Sequence, residues 1–141
     1  MKILVSACLV GENVKYSGGN NLSEKLLRYI DEYKAEVITV CPEVLGGLTI
    51  PRAPGEIVDG VVRNADGTSV DFEYRSGAAK ALAIAEKEQP DLVVLQSRSP
   101  SCGVNEIYDG SFSGVKIPGH GVFADLMIKN GFNVVDIEEM R

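Results

Sequence analysis

The three cysteines of this chain, Cys8, Cys41 and Cys102, are the residues whose chemistry stands out. An odd number of thiols cannot all pair with one another, and in a reducing cytosol cysteines mark metal binding or catalysis more often than disulfides. We therefore expect free thiols. Thiolate is a soft ligand that selects zinc, copper(I) or iron–sulfur clusters over hard cations. The alternative is that each cysteine is a small buried hydrophobic residue, which is common.

The positions of the cysteines relative to the predicted strands favour one shared site. Residues 2–8, 36–41, 91–96 and 132–137 are aliphatic or β-branched runs without strict alternation, as expected of strands buried on both faces. Cys8 and Cys41 end the first two runs, and Cys102 follows the third within a polar loop. Ligands of open parallel sheets bind outside the carboxyl ends of the strands. The three thiols are therefore expected at one crevice.

Helical periodicity between these runs sets the fold class. Residues 22–34, 72–88 and a stretch beginning near Val122 have apolar faces at helical spacing, and Asn21 with Glu24 resembles a capping box. Two Asp-Gly pairs within residues 56–70 predict a small inserted β-hairpin. The pattern predicts an α/β fold, a three-layer Rossmann-like open sheet that is mostly parallel, formed by residues 1–141 as one domain.

Composition limits the class of partner. The formal net charge is −6, with acids and bases interleaved and no Lys/Arg cluster, which argues against binding a nucleic-acid polymer. No apolar run approaches the roughly 18 residues of a membrane-spanning helix. The N-terminal residues also lack the pattern of a cleaved signal. We expect a cytoplasmic protein with a small-molecule partner and no membrane contact.

A fourth metal ligand would decide between zinc and a cluster. His120 is the only histidine and could complete a Cys₃His zinc site if its loop folds over the crevice, although it could equally be a polar loop residue before a helix. No Cys-x-x-Cys pair is present, which weakens zinc-ribbon and thioredoxin alternatives. An iron–sulfur cluster held by three thiolates, with one iron open, is the stronger hypothesis.

Several segments in order along the chain closely resemble the DUF523 family. They are SACLVG at residues 6–11, KYSGG at 15–19, CPEVLGGL at 41–48 followed by Pro51-Arg52, SPSCG at 99–103, IYDG at 107–110 and FSG at 112–114. Members of this family include thiouracil desulfidases, which bind a [4Fe–4S] cluster through three cysteines and remove sulfur from a thiolated pyrimidine without net redox change. The resemblance covers nearly the whole chain.

The resemblance implies a role for particular residues. Cys8, Cys41 and Cys102 would be the ligands of a [4Fe–4S] cluster, which can be lost from protein purified in air. Glu43 and Ser101 would be the acid/base and polar groups beside the open iron, and a thiolated pyrimidine such as thiouracil would be the substrate. One departure is Val14, in a segment where relatives often have a further cysteine.

Two functional hypotheses follow. The first is a non-redox, iron–sulfur-dependent desulfidase acting on a carbon–sulfur bond. The second is a non-catalytic metal- or sulfide-binding protein with a Cys₃ or Cys₃His zinc site. Arg52 and Arg98 are candidates for orienting a polar substrate, but a single loop arginine is more often a solvated or paired surface residue, so both are left outside the catalytic set.

Overall fold

The computed structural model describes residues 1–140 and contains eight strands and four α-helices. In chain order these are β1 (Lys2–Ser6), α1 (Glu24–Tyr33), β2 (Glu36–Val40), α2 (Pro42–Leu45), β3 (Gly55–Val58), β4 (Val61–Asn64), α3 (Asp71–Glu88), β5 (Leu92–Leu95), β6 (Glu106–Tyr108), β7 (Lys116–Pro118), α4 (Val122–Lys129) and β8 (Val134–Asp136). Short 3₁₀ turns cover Ala7–Val10 and Ile137–Glu139.

The central sheet has the order β2-β1-β5-β8, and every pair in it is parallel. These strands are the four predicted from the sequence. Strand β1 connects onward to β2 on one side, whereas β5 pairs with its other side, so the topology reverses between β1 and β5. In open α/β sheets that reversal leaves a crevice at the carboxyl ends of the two strands, where ligands bind.

Helices cover both faces of this sheet, which makes the three layers expected from the sequence. Leu4 and Val93 face the cluster that contains residues of α3 and α4. Ile3 and Val94, one position away on the same strands, face the cluster that contains Leu26 of α1. Adjacent strand residues are thus buried on opposite faces, which explains why the strand sequences are continuously apolar. None of the helices within residues 1–140 has the length and apolar character needed to cross a membrane.

One predicted helix start is wrong. The N-cap of α1 is Ser23, whose hydroxyl accepts a hydrogen bond from the Leu26 amide at 3.2 Å. Asn21 and Glu24 therefore do not form a capping box. The serine has the geometry that a cap requires, with extended backbone directly before the first helical residue. The Asn21 side chain extends instead toward Cys8.

Two hairpins lie in the connections. Strands β3 and β4 form the predicted one, and its turn residues Asp59 and Gly60 both have positive φ, as a type I′ turn requires. Strands β6 and β7 form a second hairpin, which the sequence pattern does not predict. These two strands have three residues each, too short for periodicity to reveal.

Close contact between α2 and α3 fixes the segment after β2. A Cβ on Gly77 of α3 would lie 1.7 Å from the Pro42 carbonyl oxygen, and one on Gly46 would lie 1.9 Å from the Glu73 carbonyl oxygen. Glycine is the residue that lets the two backbones approach this closely. The short helix α2, which follows Cys41 and contains Glu43, is therefore held directly against the long helix α3.

Candidate active site

A cavity of about 580 Å³ opens at the carboxyl edge of the central sheet. Its wall is formed by the loops that follow β1, β2 and β5, together with residues from both hairpins. Cys8, Cys41 and Cys102 all line it, and all three are free thiols. The expectation that the thiols meet at one edge of the sheet therefore agrees with their positions, although they come from three distant parts of the chain.

Cys8 lies in the 3₁₀ turn that follows β1, two residues after the strand ends. Gly11 ends this turn with φ of 97°, a conformation that glycine adopts without strain. The Asn21 amide nitrogen donates to the Cys8 sulfur at 3.4 Å. Burial raises the pKa of the Cys8 thiol, while the Asn21 hydrogen bond acts in the opposite direction.

Cys41 and Cys102 are held by different backbone devices. Cys41 is the N-cap residue of α2, where Pro42 occupies the first helical turn. Cys102 is buried in the loop after β5, and its amide donates to the Ser99 hydroxyl at 3.0 Å. Burial is the largest cause that raises the pKa of both thiols, so each stays protonated at neutral pH unless a metal replaces the proton.

Glu43 forms a nearly buried network beside the thiols. Its Oε1 accepts from Arg52 Nε at 2.9 Å and from the Tyr74 hydroxyl at 3.1 Å. The side chains of Arg52 and Glu43 are only 7% and 12% exposed. Burial and the nearby Glu43 carboxylate raise the pKa of Tyr74, so its hydroxyl keeps its proton and acts as a donor. One carboxylate oxygen is therefore held by two donors of the protein itself.

Ser101 connects the other oxygen of Glu43 to the cysteines. Its hydroxyl donates to Glu43 Oε2 at 2.7 Å and lies 3.8 Å from the Cys102 sulfur. The Ser99 hydroxyl lies 2.9 Å from the Ser101 hydroxyl and also accepts from the Ser101 amide. The two polar residues named from the resemblance, Glu43 and Ser101, thus contact each other directly, next to one of the thiols.

The donor set fits a cluster better than a single ion. Three thiols without a carboxylate among them are soft ligands, typical of iron–sulfur clusters as well as of zinc. Within residues 1–140, however, no three histidine, cysteine or acidic side chains lie close enough together to hold one metal ion. A cluster spreads its ligands over separate corners, so thiols set around a cavity suit it. These observations fit an iron–sulfur group.

His120 does not take part in this site. The residue is exposed and does not line the cavity, and its Nδ1 contacts the carbonyl oxygen of Val104 instead. The Cys₃His zinc hypothesis depended on the loop of His120 folding over the crevice. The β6–β7 hairpin keeps that loop away from the crevice, because the Gly119 amide donates a hydrogen bond to the Asn105 carbonyl oxygen at the open end of the hairpin. The zinc hypothesis is therefore not supported.

Several residues at the site were missed or set aside from the sequence. Arg52 was left outside the catalytic set, yet its guanidinium is buried against Glu43 and also donates to the Val14 carbonyl at 2.8 Å. Arg98 lines the cavity but pairs with Glu138 at 2.5 Å. Tyr74 and Asn21 were not singled out. The signal for Tyr74 was a tyrosine on an otherwise alanine-rich buried helix face.

The fold and the site together define a class of protein: a Rossmann-like α/β protein with a three-thiol cavity and a buried carboxylate at the reversal point of its parallel sheet. The family model described as 2-thiouracil desulfurase matches residues 3–139. The chain therefore belongs to the 2-thiouracil desulfurase family, which confirms the resemblance to DUF523.

Two known proteins are similar to this chain over almost its full length. The Bacillus subtilis (strain 168) protein YbbK, described as uncharacterized, is 42% identical over 149 residues, which cover 99% of this chain and 97% of YbbK. A solved structure of TudS (DUF523Vcz), described as a [4Fe-4S]-dependent thiouracil desulfidase, superposes with a TM-score of 0.91. It is 34% identical, and the match covers 99% of this chain and 92% of that one.

Proposed function

We propose that this protein is an iron–sulfur-dependent desulfidase that replaces the sulfur of a thiolated pyrimidine, such as 2-thiouracil, with oxygen. The observation that carries the proposal is the convergence of three free thiols and the Glu43–Ser101 pair on one cavity. Membership of the 2-thiouracil desulfurase family and the likeness to TudS support it. The reaction balances without an oxidant or a reductant, because water supplies oxygen to the carbon and sulfur leaves as hydrogen sulfide.

Cys8, Cys41 and Cys102 would hold the cluster. Burial raises the pKa of these thiols and so makes their deprotonation costly, and bonding of the thiolates to iron would offset that cost. When bound, a [4Fe–4S] cluster with one iron free of protein ligands would supply a Lewis-acidic position for the thiocarbonyl sulfur. The Asn21 amide, which donates to the Cys8 sulfur, would tune such a cluster through this hydrogen bond.

Glu43 and Ser101 would handle the protons. Arg52 and Tyr74 occupy Oε1 of Glu43, so Oε2 is the oxygen that exchanges a proton with the cavity. Ser101 lies between this oxygen and Cys102, where its hydroxyl can pass a proton from the attacking water to Glu43. The carboxylate then returns the proton to the ring nitrogen or the departing sulfur. Such proton transfer contributes about 10² to 10⁴ in rate.

The test is metal content and turnover of anaerobically purified protein. We expect about four irons with matching sulfide in the wild type, a large loss of both in Cys102→Ser, and conversion of 2-thiouracil to uracil with release of sulfide. Glu43→Gln should keep the cluster and lose at least about a hundredfold in kcat. Glu12→Gln, an exposed acid outside the cavity, is the matched control and should behave as wild type.

Either of two results would contradict the proposal. One is a wild-type protein that holds zinc or no metal after anaerobic purification. The other is a fully loaded cluster that releases no sulfide from 2-thiouracil or from other thiolated pyrimidines. Zinc in the purified protein, or a loaded cluster without turnover, would favour the hypothesis of a non-catalytic metal- or sulfide-binding protein.

A further inference from the structure

The loop between β6 and β7 lies at the mouth of the cavity and brings an aromatic residue to it. Tyr108, Phe112 and Gly114 from this hairpin line the cavity wall. Phe112 is partly buried but packs against neither of the two hydrophobic core clusters. A large apolar side chain that serves neither core, yet lines a ligand cavity, is available to a ligand.

The backbone of Phe112 is strained. Its φ is 56°, in the left-handed region that aromatic residues rarely adopt. Strain of this kind persists only where the surroundings enforce it, and it is concentrated at functional sites. Glycine, asparagine or aspartate would fit this backbone at lower cost, so the turn alone does not account for a phenylalanine at this position.

Glu56 of the β3–β4 hairpin enforces this conformation. Its Oε1 accepts from the Gly110 amide at 3.0 Å and from the Phe112 amide at 3.2 Å. Gly110 lies so close to β3 that a Cβ would be 2.6 Å from the Ile57 carbonyl oxygen. The two hairpins are therefore joined by the Glu56 carboxylate and by the close backbone contact between Gly110 and Ile57. These contacts fix the position of Phe112 before any ligand enters.

We propose that Phe112 is a specificity-determining residue whose ring contacts the flat face of a heteroaromatic thio-substrate, with Glu56 as its positioning residue. This inference rests on the proposed function. An aromatic wall favours a planar conjugated ring, because stacking on an aromatic side chain is favourable for every base. A small acyclic thiocarbonyl compound such as thiourea offers the same sulfur but no ring to stack. Phe112 thus selects for the ring, and the polar residues act on the sulfur-bearing carbon.

The test replaces the ring while keeping the backbone. Phe112→Asn introduces a residue that tolerates positive φ, so the loop should fold at least as well as in the wild type. The expected result is a dissociation constant for uracil about tenfold larger than that of the wild type, measured by calorimetry on anaerobic holoprotein, with unchanged iron content. The ratio of kcat/KM for 2-thiouracil over thiourea should fall by a similar factor. Phe72→Asn, at a phenylalanine 79% exposed on α3, should change neither quantity.

The role of Glu56 is separable from simple folding. Glu56→Ala removes the acceptor of both amides and should raise KM for 2-thiouracil several-fold with little change for thiourea. Glu56→Gln keeps a carbonyl oxygen that can accept from the same two amides and should restore the wild-type ratio. Equal losses for both substrates in Glu56→Ala would show a general structural role and overturn this assignment.

The outcomes distinguish this inference from the proposed function. If the wild type releases sulfide from 2-thiouracil but Phe112→Asn keeps the same uracil affinity and the same substrate ratio, the inference is wrong and the proposed function stands. If the wild type binds uracil but releases no sulfide from thio-compounds, the proposed function is wrong. The uracil affinity of Phe112→Asn then still decides the role of the ring.

Discussion

The carboxylate of Glu43 shows how single atoms divide the work at this site. Oε1 accepts hydrogen bonds from two donors, Arg52 and Tyr74, whereas Oε2 accepts one from the hydroxyl of Ser101. The first oxygen therefore fixes the direction of the carboxylate, and the second is the one that would exchange a proton in the proposed reaction. Charge-assisted hydrogen bonds such as the Arg52 contact are shorter and stronger than neutral ones, so the orientation is well defined.

The Tyr74 hydroxyl can be removed without disturbing the core. Tyr74→Phe keeps the ring, which is 1% exposed, and deletes only the donor to Glu43. We expect kcat for 2-thiouracil to fall about tenfold with unchanged iron content, and a loss of about 1–2 kcal/mol in the free energy of unfolding. Steady-state kinetics and denaturation check this. Tyr33→Phe, at a tyrosine 54% exposed on α1, is the control, and an unchanged kcat in Tyr74→Phe would contradict the prediction.

At the scale of elements, the sequence predicts the strands and helices that position the site better than it predicts the side-chain contacts inside the cavity. The four parallel strands and the helices α1, α3 and α4 follow from long apolar patterns, and the edge shared by the cysteines follows from parallel topology. Cavity contacts do not follow, because they join distant segments. The 2.9 Å ion pair of Arg52 with Glu43 and the amide of Asn21 on Cys8 depend on how loops fold.

Local signals also misled where two competing residues were present. Asn21 has a residue type that caps helices, but so has Ser23, and the structure uses Ser23 as the cap. Asn21 is thereby released for the thiol. His120 suggested zinc because of its residue type, yet its distance from the crevice depends on the β6–β7 hairpin, whose three-residue strands have no readable period. Residue type alone therefore overestimates the role of His120 as a metal ligand and does not reveal the contact of Asn21 with Cys8.

The contact between α2 and α3 gives a prediction at this scale. Gly77→Ala raises helix propensity but places a methyl group 1.7 Å from the Pro42 carbonyl oxygen, which cannot move without displacing α2. We expect destabilisation of at least about 2 kcal/mol, because overpacking against backbone outweighs propensity. Iron content should fall as well, since α2 directly follows Cys41. Thermal denaturation and iron analysis measure both effects.

The control for this substitution is Ala79→Gly, on the exposed face of α3. It should cost about 1 kcal/mol through propensity alone and leave iron content unchanged. If Gly77→Ala proves as stable as the wild type, the two helices are not packed as closely as described.

At the scale of the whole molecule, hydrogen bonds connect the 3₁₀ turn Ile137–Glu139 and the end of β8 to the loop that contains Cys102. Arg98 forms two hydrogen bonds with Glu138, at 2.5 and 3.1 Å, and the Ser97 hydroxyl donates to Asp136. The Arg98 hydrogen bond is the largest cause that lowers the pKa of Glu138. The chain end after β8 thus helps to hold the loop after β5, on the same side of the sheet as the cavity.

This connection predicts a pH dependence of stability. A lowered carboxyl pKa in the folded state adds stability above the ordinary glutamate pKa of about 4.3, and that stability is lost as the pH falls through the lowered value. Glu138→Gln should therefore be less stable than the wild type at pH 7, by about 0.5 kcal/mol because the pair is exposed. The two proteins should converge in acid. Urea denaturation at pH 7 and at a pH below the lowered pKa of Glu138 measures the difference in the free energy of unfolding between the two proteins.

Glu32→Gln, at an exposed position of α1, removes the same charge without a comparable partner and serves as the control. A difference between Glu138→Gln and the wild type that persists unchanged well below the glutamate pKa would show that the effect is not one of ionisation.

The sheet order β2-β1-β5-β8 has a consequence for how the protein is made. Cys8 and Cys41 leave the ribosome long before Cys102. Strand β5 pairs with β1, although the two strands lie far apart in the sequence. Contacts between such distant segments form late in folding, since loop closure must come first. The nascent chain therefore contains Cys8 and Cys41 before Cys102 joins them, and a cluster held by all three, as proposed, would be inserted only after these segments have come together. A donor of such a cluster would therefore act on a folded acceptor rather than on an unfolded chain.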